Sequence, residues 1–206
     1  MPGERWWVPA FVLAVILAET LGIVWLYHNY SALREENEDY QAALWRVAVN
    51  NMRRLMESIE GVVYQYNQSQ SAGYACSLDI AMLMFNSGSN YANMGASALK
   101  ELGRMTGNIA EDLAGERYKL YLLSVALDAL DIYMHKMGQE MIKANSTQDM
   151  QVLAEHVPLL RKVDEDLREI VFTYHEDPEN LPLDLVRHLL ETSEALADLA
   201  YGRGSP

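Results

Sequence analysis

Between Trp6 and Tyr27 the chain reads WWVPAFVLAVILAETLGIVWLY, 22 residues with a single charge, Glu19. At a helical rise of 1.5 Å per residue this stretch reaches about 33 Å, enough to cross a hydrocarbon core of about 30 Å. Aromatic residues flank it, Trp6 and Trp7 on one side and Trp25 and Tyr27 on the other, with Tyr30 just beyond. Amphipathic rings concentrate at the water–lipid interfaces of a bilayer, which makes Trp6, Trp7, Trp25 and Tyr27 the expected interface anchors. A short tail, residues 1–5, is therefore expected to lead into a transmembrane helix over residues 6–30.

A cleaved signal peptide is the competing reading, since Arg5 precedes the apolar run as in a secretory leader. The run continues past Glu19, however, and the best cleavage site, after Ala18, places Ile16 where a small residue is needed. An uncleaved signal anchor fits better. Orientation follows Lys and Arg rather than acids; Arg5 and the terminal amine on the short side, against Arg34 on the long side, lean towards a cytoplasmic N-terminus and an extracytoplasmic bulk. Glu19 is the polar oddity, because a carboxyl in lipid needs a proton, a partner or a nearby interface. Either it hydrogen-bonds a second transmembrane helix, or it is tolerated in a single-pass anchor beside Thr20 and Gly22.

Residues 31–200 amount to one domain, long enough to bury a core, and residues 201–206 (YGRGSP) read as a flexible tail. The whole chain carries 16 Lys and Arg against 29 Asp and Glu, a net charge of −13. That balance repels phosphate backbones and anionic lipid headgroups, which argues against a nucleic-acid binder and a polybasic membrane patch; it reads as solubility or as an acidic recognition face. Cys76 is the only cysteine, so no intramolecular disulfide exists. It is either a small buried residue or the point of an intermolecular bridge.

Almost all of this domain reads as helix, without the alternation that marks strands. Leu33, Asn37, Tyr40, Leu44, Val47 and Asn51 follow 3–4 spacing, and the stripe resumes at Leu55, Ile59, Val62 and Tyr66. No Pro or Gly interrupts from Val24 to Glu60, so the first soluble helix is expected to be a rigid continuation of the anchor. Asn37 and Asn51 on that stripe are candidates for setting helix–helix register, as polar seam residues do in coiled coils, or simply mark a wet face. After a polar loop, Asn67 to Gly73, a second helix is expected over Tyr74–Met105. Small residues occupy four of its eight stripe positions (Leu78, Ala81, Phe85, Gly88, Ala92, Gly95, Leu99, Leu102), which lets a neighbouring backbone approach closely. A third helix keeps heptad spacing from Leu113 to Met141, its apolar face widened by Tyr118, Tyr121, Val125 and Ile132. Ser146 to Asp149 resembles a capping box ahead of a fourth helix, in which Pro158 predicts a kink or a restart. His175 to Asn180 is a turn, and Pro182 suits the first turn of a fifth helix, Leu183–Ala200. The expected fold is all-α, an anchor helix continuing into an antiparallel bundle of four or five helices.

Helical bundles that act as di-metal enzymes use Glu-x-x-His pairs, which put both ligands on one face. No histidine has Glu three positions before it; His135, His156, His175 and His188 follow Ile132, Leu153, Phe172 and Leu185 at that spacing. Asp131 and His135, four apart, form an ordinary helix-surface pair. No phosphate loop, dinucleotide fingerprint, nucleophile elbow or zinc motif is present. Catalytic, cofactor-binding and metal-ligating residues are therefore not expected. The 11 methionines are most simply core filler.

The stretch from Gly22 to Gln65 resembles the start of YpeB-type spore-germination proteins through Trp25, Tyr27, Glu36, Asn37, Tyr40, Gln41 and Ala43. Leu153 to Leu167 (LAEHVPLLRKVDEDL) is similar to a later helix of that family, which precedes a partner-binding region. The resemblance covers the anchor and the helical part only. No PepSY-type domain follows before Pro206, and DIAMLMF at Asp79 to Phe85 stands where a Trp-Arg pair is expected. It implies a non-catalytic role: a short form that holds and stabilises a cortex-lytic hydrolase at the spore inner membrane. The alternative is a sensor-type ectodomain that binds a small ligand and reports through its anchor helix. A protein partner is expected in the first case, and homo-oligomerisation is open in both.

Overall fold

The structure, a computed structural model, describes residues 7–71, 77–105, 115–143 and 147–202. Among them the chain forms α1 (Trp7–Ser69), α2 (Leu78–Met105), α3 (Glu116–Lys143), a short 3-10 helix (Thr147–Leu153), α4 (Val157–Thr173) and α5 (Leu183–Ala200), with no strand. The all-α expectation is met, as are the bounds of the fifth helix. Two units divide the chain, residues 1–42 and 43–206.

The first unit contains the N-terminal part of α1. No helix among the described residues is long and apolar enough to cross a membrane. The transmembrane segment expected over residues 6–30 falls largely outside the described residues: Trp6 is not among them, nor are the side chains from Trp7 to Glu19.

In the second unit the neighbours can be traced pair by pair. A Cβ added at Gly61 of α1 would meet Met84 of α2, and one added at Gly95 of α2 would meet Ala48 and Asn51 of α1, so these two helices run antiparallel. Gly88 of α2 lies on Met134 of α3, and Gly95 on Leu127, again antiparallel. Arg168 of α4 pairs with Glu60 of α1, Arg53 lies over the Phe172 ring, and Trp45 Nε1 donates to the His175 carbonyl at 2.9 Å. These contacts run α4 antiparallel to α1. Helix α5 lies against α4 through His188 and Asp166, and against α3 through Lys136 beside the Tyr201 ring and Lys119 donating to the Glu179 carbonyl. The ring of neighbours is thus α1, α2, α3, α5, α4 and back to α1. Five helices cannot alternate around a closed ring, so one neighbouring pair must be parallel. That pair is α3 and α5, the one departure from the expected antiparallel bundle.

Local chemistry sets the boundaries. Ser77 Oγ accepts from the Ile80 N–H at 3.3 Å and so caps α2, while its own N–H donates to the buried Gln65 side chain of α1 at 3.0 Å. Pro158 has no N–H and its ring excludes the carbonyl four residues back, so the chain restarts there: a 3-10 turn ends at Leu153 and α4 begins at Val157. The capping box expected at Ser146 to Asp149 lies outside the residues whose side chains are described. Asn180 donates twice to the Asp177 carboxylate, closing the α4–α5 turn and holding that carboxyl below its usual range.

The core runs the length of the bundle, from Trp45 and Ala48 through Ile59, Phe85 and Leu99 to Leu130, Leu167 and Leu189. Two expected stripes are corrected. Val47 is exposed, and α1 instead buries Trp45, Ala48, Val49 and Met52, because it faces both α2 and α4. Tyr121 and Ile132 are exposed as well, so they do not widen the inward face of α3.

Candidate functional site

The sequence-predicted site residues fall in different places. Trp25 is exposed, as are its neighbours Leu21, Ile23, Val24 and Leu26, each between 59% and 68%. The side chains of Trp7, Glu19 and Tyr27 lie outside the described residues, as does Trp6. Asn37 is exposed on the first unit. Asn51 is buried in the bundle, and its Nδ2 donates to the Val47 carbonyl of its own helix at 2.8 Å. Cys76 is outside the described residues.

Asp131 and His135 are not joined. Asp131 accepts from Ser89 Oγ across the α2–α3 seam at 2.5 Å, and Gln139 Nε2 donates to His135 Nε2 at 2.9 Å. Three polar arrangements that sequence reasoning missed are more notable. On α4 and α5, Asp166 Oδ2 and His188 Nδ1 lie 2.7 Å apart, an imidazole N–H donating to a carboxylate. Burial pushes the Asp166 carboxyl above its ordinary range, although the His188 hydrogen bond pulls it down. A carboxylate that fixes an imidazole in this way is half of a general-base arrangement. The adjacent hydroxyls are already committed, Thr192 to the His188 carbonyl at 2.8 Å and Ser193 to the Leu189 carbonyl at 2.6 Å.

The second arrangement centres on Arg168, which pairs with Glu60 of α1 and reaches Asp164 one turn earlier at 3.5 Å. Burial first, and then the Glu60 charge, push the Asp164 carboxyl up, and its Oδ1 is buried without a protein partner. The third lies in the core. Phe85 meets Tyr133 edge-on, with ring centroids 6.1 Å apart, and Tyr133 stacks on His156 at 5.7 Å. Tyr133 Oη and His156 Nδ1 are both buried with no protein group in hydrogen-bonding reach. Burial drives the His156 pKa down and the phenol's up.

An unpaired buried hydroxyl carries a desolvation penalty of about 1–3 kcal/mol that a phenyl ring of the same shape avoids. Tyr133→Phe is therefore expected to raise the stability of the bundle by about 1 kcal/mol. An increased urea midpoint at unchanged slope checks this, and a lowered midpoint would show that the hydroxyl has a partner.

Among the described residues no three His, Cys, Asp or Glu side chains converge as metal ligands would. The class these features define is an up-and-down five-helix bundle preceded by an apolar helical segment. No family model, curated protein or solved structure matches the chain.

Proposed function

We propose that this chain is a non-catalytic, membrane-anchored helical scaffold that holds a partner protein beside the bilayer. The observation that carries it is the exposure of Leu21, Ile23, Val24, Trp25 and Leu26. Successive helical residues turn by about 100°, so these five leave no arc wider than about 100° without a large apolar group. A helix with one apolar stripe suits a groove; a helix apolar around its whole circumference suits a hydrocarbon core. The apolar residues preceding Glu19 extend the same character to the length a bilayer requires. Arg5 and the terminal amine on the short side support a cytoplasmic N-terminus with the bundle outside. The resemblance to YpeB-type proteins suggests a cortex-lytic hydrolase of the spore envelope as the partner.

Fractionation tests the anchor. The full chain is expected to sediment with membranes, to resist 1 M salt and alkaline carbonate, and to be released by detergent, whereas residues 31–206 are expected to be soluble and helical. Release of the full chain by salt alone would sink the anchor. Purification from detergent tests the scaffold: a stoichiometric hydrolase bound to the bundle supports it. A chain that purifies without any partner and gains thermal stability with a small molecule would favour the sensor reading instead.

A further inference from the structure

Charge is distributed unevenly along this acidic chain. From Gly61 to Leu99, 39 residues, the only charged side chain is Asp79, although the whole chain carries 45 charges. The structure turns this stretch into a surface. On the outer side of α2, Leu83 and Met94 are 58% and 56% exposed, and Asn86, Asn90 and Asn93 stand exposed along the same side. The antiparallel α3 continues the surface: Asn86 lies over Gly138, and Ile132 and Ile142 are 47% and 64% exposed, with His135 and Gln139 between them. Its charges are few. Asp131 is bound to Ser89 in the seam, the Lys100–Asp128 bridge closes one end, and Asp79, one turn before Leu83, and Lys143, beside Ile142 and paired with Glu140, stand exposed at the other.

We infer that this α2–α3 face is where two copies of the chain meet in a two-fold dimer. Four large apolar side chains at those exposures present on the order of 400 Å², within the range of the largest apolar patch on a typical monomer. The exposed Asn, Gln and His side chains around them add about as much, bringing each copy to the ~800 Å² that one partner contributes to a stable interface. Charge selects the occupant. Two copies at −13 each repel wherever acidic surfaces approach, and a face whose few charges are paired or confined to its ends is where contact costs least. A basic partner is steered to the acidic surfaces outside this face. The polar groups also suit a copy of themselves: amides, and an imidazole, each carry donor and acceptor, so one side chain can satisfy its symmetry mate across a two-fold axis.

The test is the mass of the full chain in detergent by light scattering, with the detergent contribution subtracted. A dimer is expected at about 10 μM. Leu83→Lys combined with Met94→Lys places two like charges on each side of the axis and is expected to weaken self-association at least tenfold. The helical circular dichroism should be unchanged, since both sites are exposed; Val152→Lys, an exposed apolar site elsewhere, should leave the dimer intact. In a Cys76→Ser background, Asn90→Cys is expected to form an intermolecular disulfide under mild oxidation. A monomeric wild type, a double variant that stays dimeric through some other contact, or a stoichiometric foreign protein on this face in place of the second copy would each overturn the assignment.

Discussion

Gly95→Leu is expected to destabilise the bundle by about 3 kcal/mol or more. Even a Cβ at this position would lie 3.0 Å from Leu127 Cδ1 of α3, 3.5 Å from Asn51 Cβ and 3.8 Å from the Ala48 carbonyl of α1. Three helices converge on one missing side chain. A leucine must push Leu127 off its rotamer and force α1 and α2 apart against a backbone oxygen, which cannot rotate aside. Gly61 makes a useful contrast. Its Cβ would also be tight, 2.9 Å from Met84 Sδ and 3.0 Å from its Cγ, but both atoms belong to one flexible side chain rather than to backbone. Gly61→Ala should therefore cost little, and the alanine gains up to about 1 kcal/mol of helix propensity. Urea unfolding followed by far-ultraviolet circular dichroism reads both. A Gly95→Leu midpoint within error of the wild type would mean that α1 and α2 are not in the close contact described.

That close approach was legible before any coordinates, because 3–4 spacing put Gly88 and Gly95 on one stripe with Phe85, Ala92 and Leu99. Seven of those eight stripe positions are buried, Leu78 being the exception, because the stripe runs along the middle of the arc that α2 turns towards α1 and α3. Helix α1 was harder. It touches α2 on one flank and α4 on the other, so its inward arc is broad, and a single line through Leu44, Val47 and Asn51 misses Trp45 and Met52. The exposed apolar ring at Leu21 to Leu26 was readable directly, because an all-round apolar segment has no face to be rotated. Side-chain pairing was not readable. Asp131 has His135 one turn away, yet the seam presents Ser89 instead. The burial of Tyr133 follows from its place between Leu130 and Met137, but nothing in the spacing brings to it a histidine 23 residues later, beyond the end of its helix.

That histidine gives the bundle a titration signature. His156 is buried, stacked on Tyr133, and its Nδ1 has no protein partner, so folding disfavours the cation and holds its pKa below the ordinary 6.5. At pH values between the folded and unfolded pKa the unfolded chain binds more protons than the native one, so stability falls as pH falls. The contribution is full above about pH 6.5 and is lost as the pH drops through the folded pKa. Asp164 and Asp166 act with the opposite sign. Burial raises both carboxyls, so acid relieves them. Both carboxyls are present in a His156 variant as well, so a comparison with such a variant between about pH 7.5 and about pH 5.5 isolates the imidazole. Acid also reduces the repulsion of a chain at −13, a background shared by any variant, and the measurement is accordingly a difference. His156→Phe keeps a ring on Tyr133 and removes the titration. Between those two pH values an unfolded-state imidazole near 6.5 limits the effect to at most about 1.4 kcal/mol, and each kcal/mol moves the Tm of a domain this size by about 2–4 °C. The wild type is expected to lose several degrees relative to His156→Phe between those two pH values. Parallel Tm profiles for the two proteins would show that His156 reaches solvent or a partner when it takes up its proton.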